Sequence, residues 1–171
     1  VNGTVQVCNK KYGANGWLGL AQVWVSGSHI VKGTAKVNDT YFNTKTYNKP
    51  EWRNLVMCQE VAHTFGLDHQ DENFTNTNLG SCMDYTNNPL GPPNNEHPNA
   101  HDYEQLELIY AHLDATTTVA SSTASSGFGL DGEDDDGGPG FGRVIRRGAD
   151  GRESLFEKEL RGGRKLFTFV F

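Results

Sequence analysis

Cys58-Gln59-Glu60-Val61-Ala62-His63-Thr64-Phe65-Gly66-Leu67-Asp68-His69 is the stretch on which the reading of this chain turns. From Trp52 to Phe65 there is no Pro or Gly, and Leu55, Val56, Val61, Ala62 and Phe65 supply the apolar positions of a buried helix. Pro50 suits the first helical position, and Glu51 places an acid where the helix dipole favours one. Gly66 then ends the helix in the left-handed conformation that glycine adopts readily.

On that helix Gln59 and His63 are four residues apart, so their side chains share one face a turn apart. Two side chains so placed can clasp one metal ion. The break at Gly66 lets His69 return as a third ligand from outside the helix. Three protein ligands and an open fourth position make the arrangement of catalytic zinc. Glu60 lies beside them, placed to reach a metal-activated water and take its proton as the water attacks a carbonyl. Taken alone, His63 and His69 would read as ordinary structural histidines; Glu60 and Gly66 at their spacing are what that account leaves over.

The segment resembles the metzincin clan of metallopeptidases, whose extended motif is H-E-x-x-H-x-x-G-x-x-H. Glu60, His63, Gly66 and His69 match it at the right spacing, and Gln59 stands where the motif has its first His. Downstream, Ser81-Cys82-Met83-Asp84-Tyr85 is similar to the clan's methionine turn, and the pattern Ser-x-Met-x-Tyr looks like astacins and serralysins. The resemblance covers residues 1–115. It implies an α+β fold, a small twisted mixed sheet with an active-site helix and a C-terminal helix. The function implied is that of a zinc-dependent endopeptidase with Zn2+ held by Gln59, His63 and His69. Glu60 would be the general base, and Tyr85 a metal ligand or oxyanion stabiliser. In the clan an edge strand lies antiparallel to an extended substrate above the metal; by order, His29 to Val37 is the strand expected to do so here.

Gln59 leaves three arrangements open. Its amide oxygen is neutral, as imidazole is, but harder and a weaker zinc donor. Gln59 ligates and the enzyme works; or His63, His69, Tyr85 and water complete the site; or the metal site has decayed and the domain is a catalytically inactive binding module. The first is the working expectation, because Glu60 is present. His29, His97, His101 and His112 read as ordinary surface histidines.

Outward from this centre, Val5, Val7 and the run Leu18 to Val25 read as strands, and Ser26-Gly27-Ser28 joins the second of them to His29–Val37 as neighbours, in the manner of a hairpin. Pro98 opens a second helix expected to run through His112, with Leu106, Ile109, Tyr110 and Leu113 on its apolar side. Residues 116–142 change character to Thr, Ser, Gly and Asp and read as a linker; its acidic cluster Asp131 to Asp136 lacks the spacing of a twelve-residue calcium loop and reads as solvated linker. Residues 143–171 are a separate tail whose aromatic end, Leu166 to Phe171, is expected to pack as a strand.

Charge divides along the same line. Residues 1–142 carry 7 basic and 17 acidic side chains, and residues 143–171 carry 8 and 4. A basic tail on an acidic body is expected to fold back on it rather than to bind nucleic acid. No apolar run approaches the roughly 20 residues of a membrane span; abundant Gly, Asn and Thr suit a loop-rich extracellular protein, and a secreted monomer acting on a protein or peptide substrate is expected, with any targeting segment removed. Of Cys8, Cys58 and Cys82, the favoured disulfide is Cys58–Cys82, against three free thiols.

Overall fold

Small residues decide how closely the main helix can sit on the sheet. The computed structural model describes residues 2–114 and 140–171. Strands Val5–Lys10 (β1), Gly19–Ser26 (β2) and His29–Asn38 (β3) form as the β-rich runs predict, β1 pairing parallel and β2 antiparallel with β3. On one face β2 and β3 present Gly19, Ala21, Gly33 and Ala35, paired across the ladder as Ala21–Ala35 and with Gly33 opposite Val23. The helix Pro50–His63, called α2 after the short helix α1 at Asp39–Phe42, packs there. A Cβ on Gly19 would lie 2.4 Å from both Val56 Cγ1 and Glu60 Oε1, and one on Gly33 would lie 2.7 Å from Thr64 Cβ. The absence of side chains at these two positions brings the Glu60–Thr64 end of the helix onto the sheet.

Beneath α2, Leu55, Val56 and Ala62 join Phe42, Trp52, Leu67, Met83 and Tyr85 in the core. Gly66 has φ 93°, the turn that brings His69 back. Phe65, expected inside, is 44% exposed because it follows the end of α2, where the helical face has already turned away.

The second long helix, α3, spans Ala100–Ile109 and stops three residues short of His112. Its start is fixed by a capping box in which Asn99 and Asp102 satisfy each other's backbone. Leu106 and Ile109 pack against the core, whereas Tyr110 and Leu113, expected on the same side, lie beyond the helical turn and are exposed. Beyond β3, Asn38 is the N-cap of α1.

The tail makes three strands where one was expected: Arg143–Arg147 (β4), Glu153–Glu159 (β5) and Arg164–Val170 (β6). They join the first three in one six-stranded sheet of order β1-β3-β2-β6-β5-β4. The fold is thus mixed α+β, with one mixed sheet and few helices. This order corrects one expectation. The strand His29–Val37 is interior, between β1 and β2, so its backbone is already paired on both sides. The outer side of β2 is the one that faces away from β3, and β6 pairs with it antiparallel from Leu20 to Ser26.

Cys58 and Cys82 form a disulfide with a Cα–Cα distance of 5.9 Å, tying α2 to the methionine-containing turn, and Cys8 is a free, exposed thiol. Among the described residues no helix is long and apolar enough to cross a membrane. Both facts are compatible with an extracellular protein. The expected linker, acidic run included, lies outside the described residues apart from 140–142.

Candidate metal centre and its surroundings

His63 and His69 face each other at the C-terminal end of α2, with Nε2 atoms 2.9 Å apart. Their other ring nitrogens decide what this contact means. His63 Nδ1 lies 2.8 Å from the Leu67 carbonyl, which only accepts, so Nδ1 carries the proton. His69 Nδ1 lies 2.6 Å from Glu72 Oε1. Burial by itself would raise Glu72, but hydrogen bonds from His69, Ser154 and Arg146 hold it below the usual carboxylate range, so it too accepts. With both rings neutral the two Nε2 atoms present lone pairs to one another; with His69 protonated against Glu72, its Nε2 donates to His63 instead.

Two acceptors so close repel unless a cation lies between them. A proton on His63 is disfavoured, because burial first and the neighbouring His69 second hold its pKa well below the ordinary histidine value. Zinc is the other cation the pair can take: on bonds of ~2.05 Å, two nitrogens of one tetrahedral ion stand roughly 3.3 Å apart, wider than the 2.9 Å here, so the rings would part slightly around it. The hydrogen bonds at both Nδ1 atoms are the kind that orient metal-ligating imidazoles.

Gln59 completes the fit. Its Nε2 donates to the Cys82 carbonyl at 2.9 Å, which leaves Oε1 as the free end of the amide. That oxygen is buried and has no hydrogen-bond partner. An orphaned buried acceptor costs about 1–3 kcal/mol, and a cation held one helical turn before His63 would remove the deficit. The disulfide at Cys82 fixes the very carbonyl that orients Gln59.

Glu60 is 1% exposed, its Oε2 without a hydrogen-bond partner. Burial pushes its pKa well above the ordinary value, the direction that makes a carboxylate a better proton acceptor near neutrality. Tyr85, on the turn that follows, is 3% exposed with its ring 4.7 Å from that of His69. Burial, then the charges of Glu72 and Glu60, hold its hydroxyl protonated well above the usual phenol range. Its hydroxyl donates to the Val170 carbonyl of β6 at 3.1 Å.

Buried polar groups lock the turn. Met83 N donates to Ser81 Oγ, which donates in turn to Asp102 Oδ2 at 2.6 Å. Asn95 Oδ1 accepts from the backbone of Gly80 and Ser81, and Gln70 Nε2 bridges to Asp102. Met83 itself is fully buried in the core.

The chain matches no family model, no curated protein and no solved structure. Gln59, Glu60 and His63 come from α2, His69 from beyond Gly66, and Tyr85 from the turn after Met83. His29 and His112 lie apart from this centre. They gather round Asp114, with Nε2 atoms 2.8 and 3.3 Å from its Oδ1, an exposed cluster of the kind that can hold a metal. His29, His112 and Asp114 line a cleft of about 550 Å³ that His63 also borders, beside Phe167 and Phe169.

Sequence reasoning missed Glu72, Asp102, Arg146 and Phe169. Asn99-x-x-Asp102 carried a capping-box signal, and Glu72 follows His69 at a spacing that suits a supporting carboxylate. Arg146 bridges Asp68 and Glu72, and Phe169 stacks on His63 with ring centroids 3.9 Å apart. Neither could be found locally, because both come from the distant tail.

Proposed function

We propose that this chain is a secreted zinc-dependent endopeptidase of the metzincin type. One observation carries the reading: two buried imidazoles, each with Nδ1 committed to an acceptor, bring their Nε2 atoms to 2.9 Å of each other at the end of the helix that also carries Gln59 and Glu60. Gln59, with its oriented and unpartnered oxygen, supports the same reading as the third donor.

Zinc held by Gln59, His63 and His69 would supply a Lewis acid and a water acidic enough to attack a peptide carbonyl. The chain's own groups do the rest. Glu60, whose proton affinity burial has raised, takes the water's proton and returns it to the leaving amine. Tyr85 stays protonated and is a hydrogen-bond donor to a carbonyl lying over the site, as its bond to the Val170 carbonyl illustrates. β2, whose far side is paired by β6, would offer that side to an extended peptide with β6 displaced.

The second reading, a catalytically inactive binding domain, draws on Gln59, the weaker donor, and on Phe169 lying over His63. Hydrolysis of a denatured protein substrate by the purified chain separates the two. With zinc, cleavage should appear and should vanish with chelator and with Glu60→Ala. Stoichiometric zinc without cleavage in any form of the chain would favour the binding domain; no zinc at all would sink the metal centre.

A further inference from the structure

Phe169 lies face to face with the imidazole of His63, tilted by only 12°, and edge-on to His69 at 6.0 Å. His63 is 1% exposed, and so is the side chain of His69. With Phe169 in place, no peptide can lie against these rings. Phe169 belongs to β6, which is paired with β2 over seven residues.

The way β6 is held has the form of a bound extended peptide. It runs antiparallel to β2. Its alternate residues Phe167 and Phe169, and Phe171 just after it, turn toward α2: Phe167 and Phe169 line the cleft with His63, and Phe171 packs on Tyr85. Its Val170 carbonyl accepts the Tyr85 hydroxyl, the bond that Tyr85 would offer a substrate carbonyl. Without β6, β2 would expose a row of unpaired backbone groups, a ready template for another strand.

The rest of the tail clamps this arrangement. Arg146 of β4 forms a paired contact with both oxygens of Asp68, the neighbour of His69, and reaches Glu72 at 3.3 Å. Ser154 of β5 donates to the other oxygen of Glu72. The carboxylate that orients His69 is therefore held from its far side by the same segment that covers His63.

We infer that residues 143–171 are a tethered, substrate-like occupant of the metal-site cleft. The intact chain is latent, and the peptide class that the cleft takes is an extended strand with aromatic side chains at alternate positions. This rests on the peptidase reading for the meaning of latency, but the occlusion itself does not need it. Activation then consists of displacing β6 from β2, and no bond to the site has to be broken covalently.

The test compares the full chain with Phe169→Ala, which uncovers His63 and, by removing the stacking contact that holds β6 over the site, eases displacement of β6 from β2. Two readouts are taken: the rate at which diethyl pyrocarbonate modifies His63 and His69, resolved by peptide mass spectrometry, and zinc-dependent hydrolysis of a Phe-rich peptide. His97 and His101 serve as internal controls. If the open form is a minor population of the intact chain, uncovering it should raise both rates by at least about tenfold. A synthetic peptide of residues 164–171 should inhibit the variant competitively.

Should Phe169→Ala unfold, a chain cut once between residues 116 and 139 provides the second handle. A labelled peptide of residues 143–171 should exchange into it and, while bound, slow modification of His63. Faster modification with new hydrolysis supports both readings. Faster modification with no hydrolysis in any form keeps the occlusion and removes the peptidase. Equal modification in the folded variant and the intact chain overturns the occlusion, and so does equal, measurable hydrolysis by both.

Discussion

A single buried carboxyl, Glu60, sets the chain's function against its stability. Burial raises its pKa above the ordinary value, so between that value, about 4.3 in an unfolded chain, and the raised one the folded state holds a proton that the unfolded state has lost. The unfolded chain binds fewer protons there, and stability falls as pH rises through the window. Glu60→Gln removes the titration, so in chelator the variant should lose less stability than the parent between pH 4.5 and neutrality while losing all hydrolysis. Urea unfolding at several pH values checks this; parallel profiles would mean Glu60 is not held neutral. His69 depends on its neighbour in a different way. Glu72 accepts from its Nδ1 at 2.6 Å, and loss of such a supporting carboxylate lowers metal affinity about 10–100-fold. Glu72→Ala should show that loss in a zinc competition titration, and an unchanged affinity would place the metal away from His69.

At the scale of elements, the approach of α2 to β2 is the feature that most constrains the site. A Cβ at Gly19 would meet Val56 and Glu60 at 2.4 Å, against atoms of a helix already packed in the core. Gly19→Ala should therefore destabilise by about 1–3 kcal/mol, the usual cost of overpacking, and should displace the Glu60 carboxyl as well. A denaturant midpoint measures the first effect and the rate of hydrolysis the second; a neutral result in both would mean that the helix can shift away. The same elements show what the sequence could and could not reveal. Helix α2 was legible because Pro50, Glu51 and Gly66 mark both ends chemically. β2 and β3 were legible as strands because β-rich runs flank a short glycine turn. Which strand lay inside was not, since order in the sheet depends on partners far along the chain: β3 pairs with β1, and β2 pairs with β6, some 140 residues later. The end of α3 was misjudged because Tyr110 and Leu113 keep helical spacing after the helix has stopped.

In the whole molecule, charge asymmetry along the sequence becomes contact in space, since the basic tail and the acidic body meet where Arg146 engages Asp68 and Glu72. Burial would raise Asp68, but the hydrogen bond and charge of Arg146 more than offset it and hold Asp68 below the usual carboxylate range; Glu72 is depressed as well. Both folded pKa values lie under the unfolded ones. The stabilisation is thus fully present above the ordinary carboxylate pKa and is lost as pH falls through the folded values. The side chains of Arg146 and Asp68 are 35% and 50% exposed, so solvent screens much of the attraction and the worth of the pair is about 0.5–1 kcal/mol even with paired geometry. Arg146→Ala should lower stability by about that amount at low salt and by less at high ionic strength, where the Debye length shrinks to about 3 Å near 1 M. The difference between parent and variant should also shrink below about pH 4, where unfolded carboxylates are already protonated. Thermal unfolding of both chains at two salt concentrations and two pH values measures the difference under each condition. A difference independent of salt and pH would show that Arg146 acts by packing, and that opposite charge is not what draws the tail onto the body.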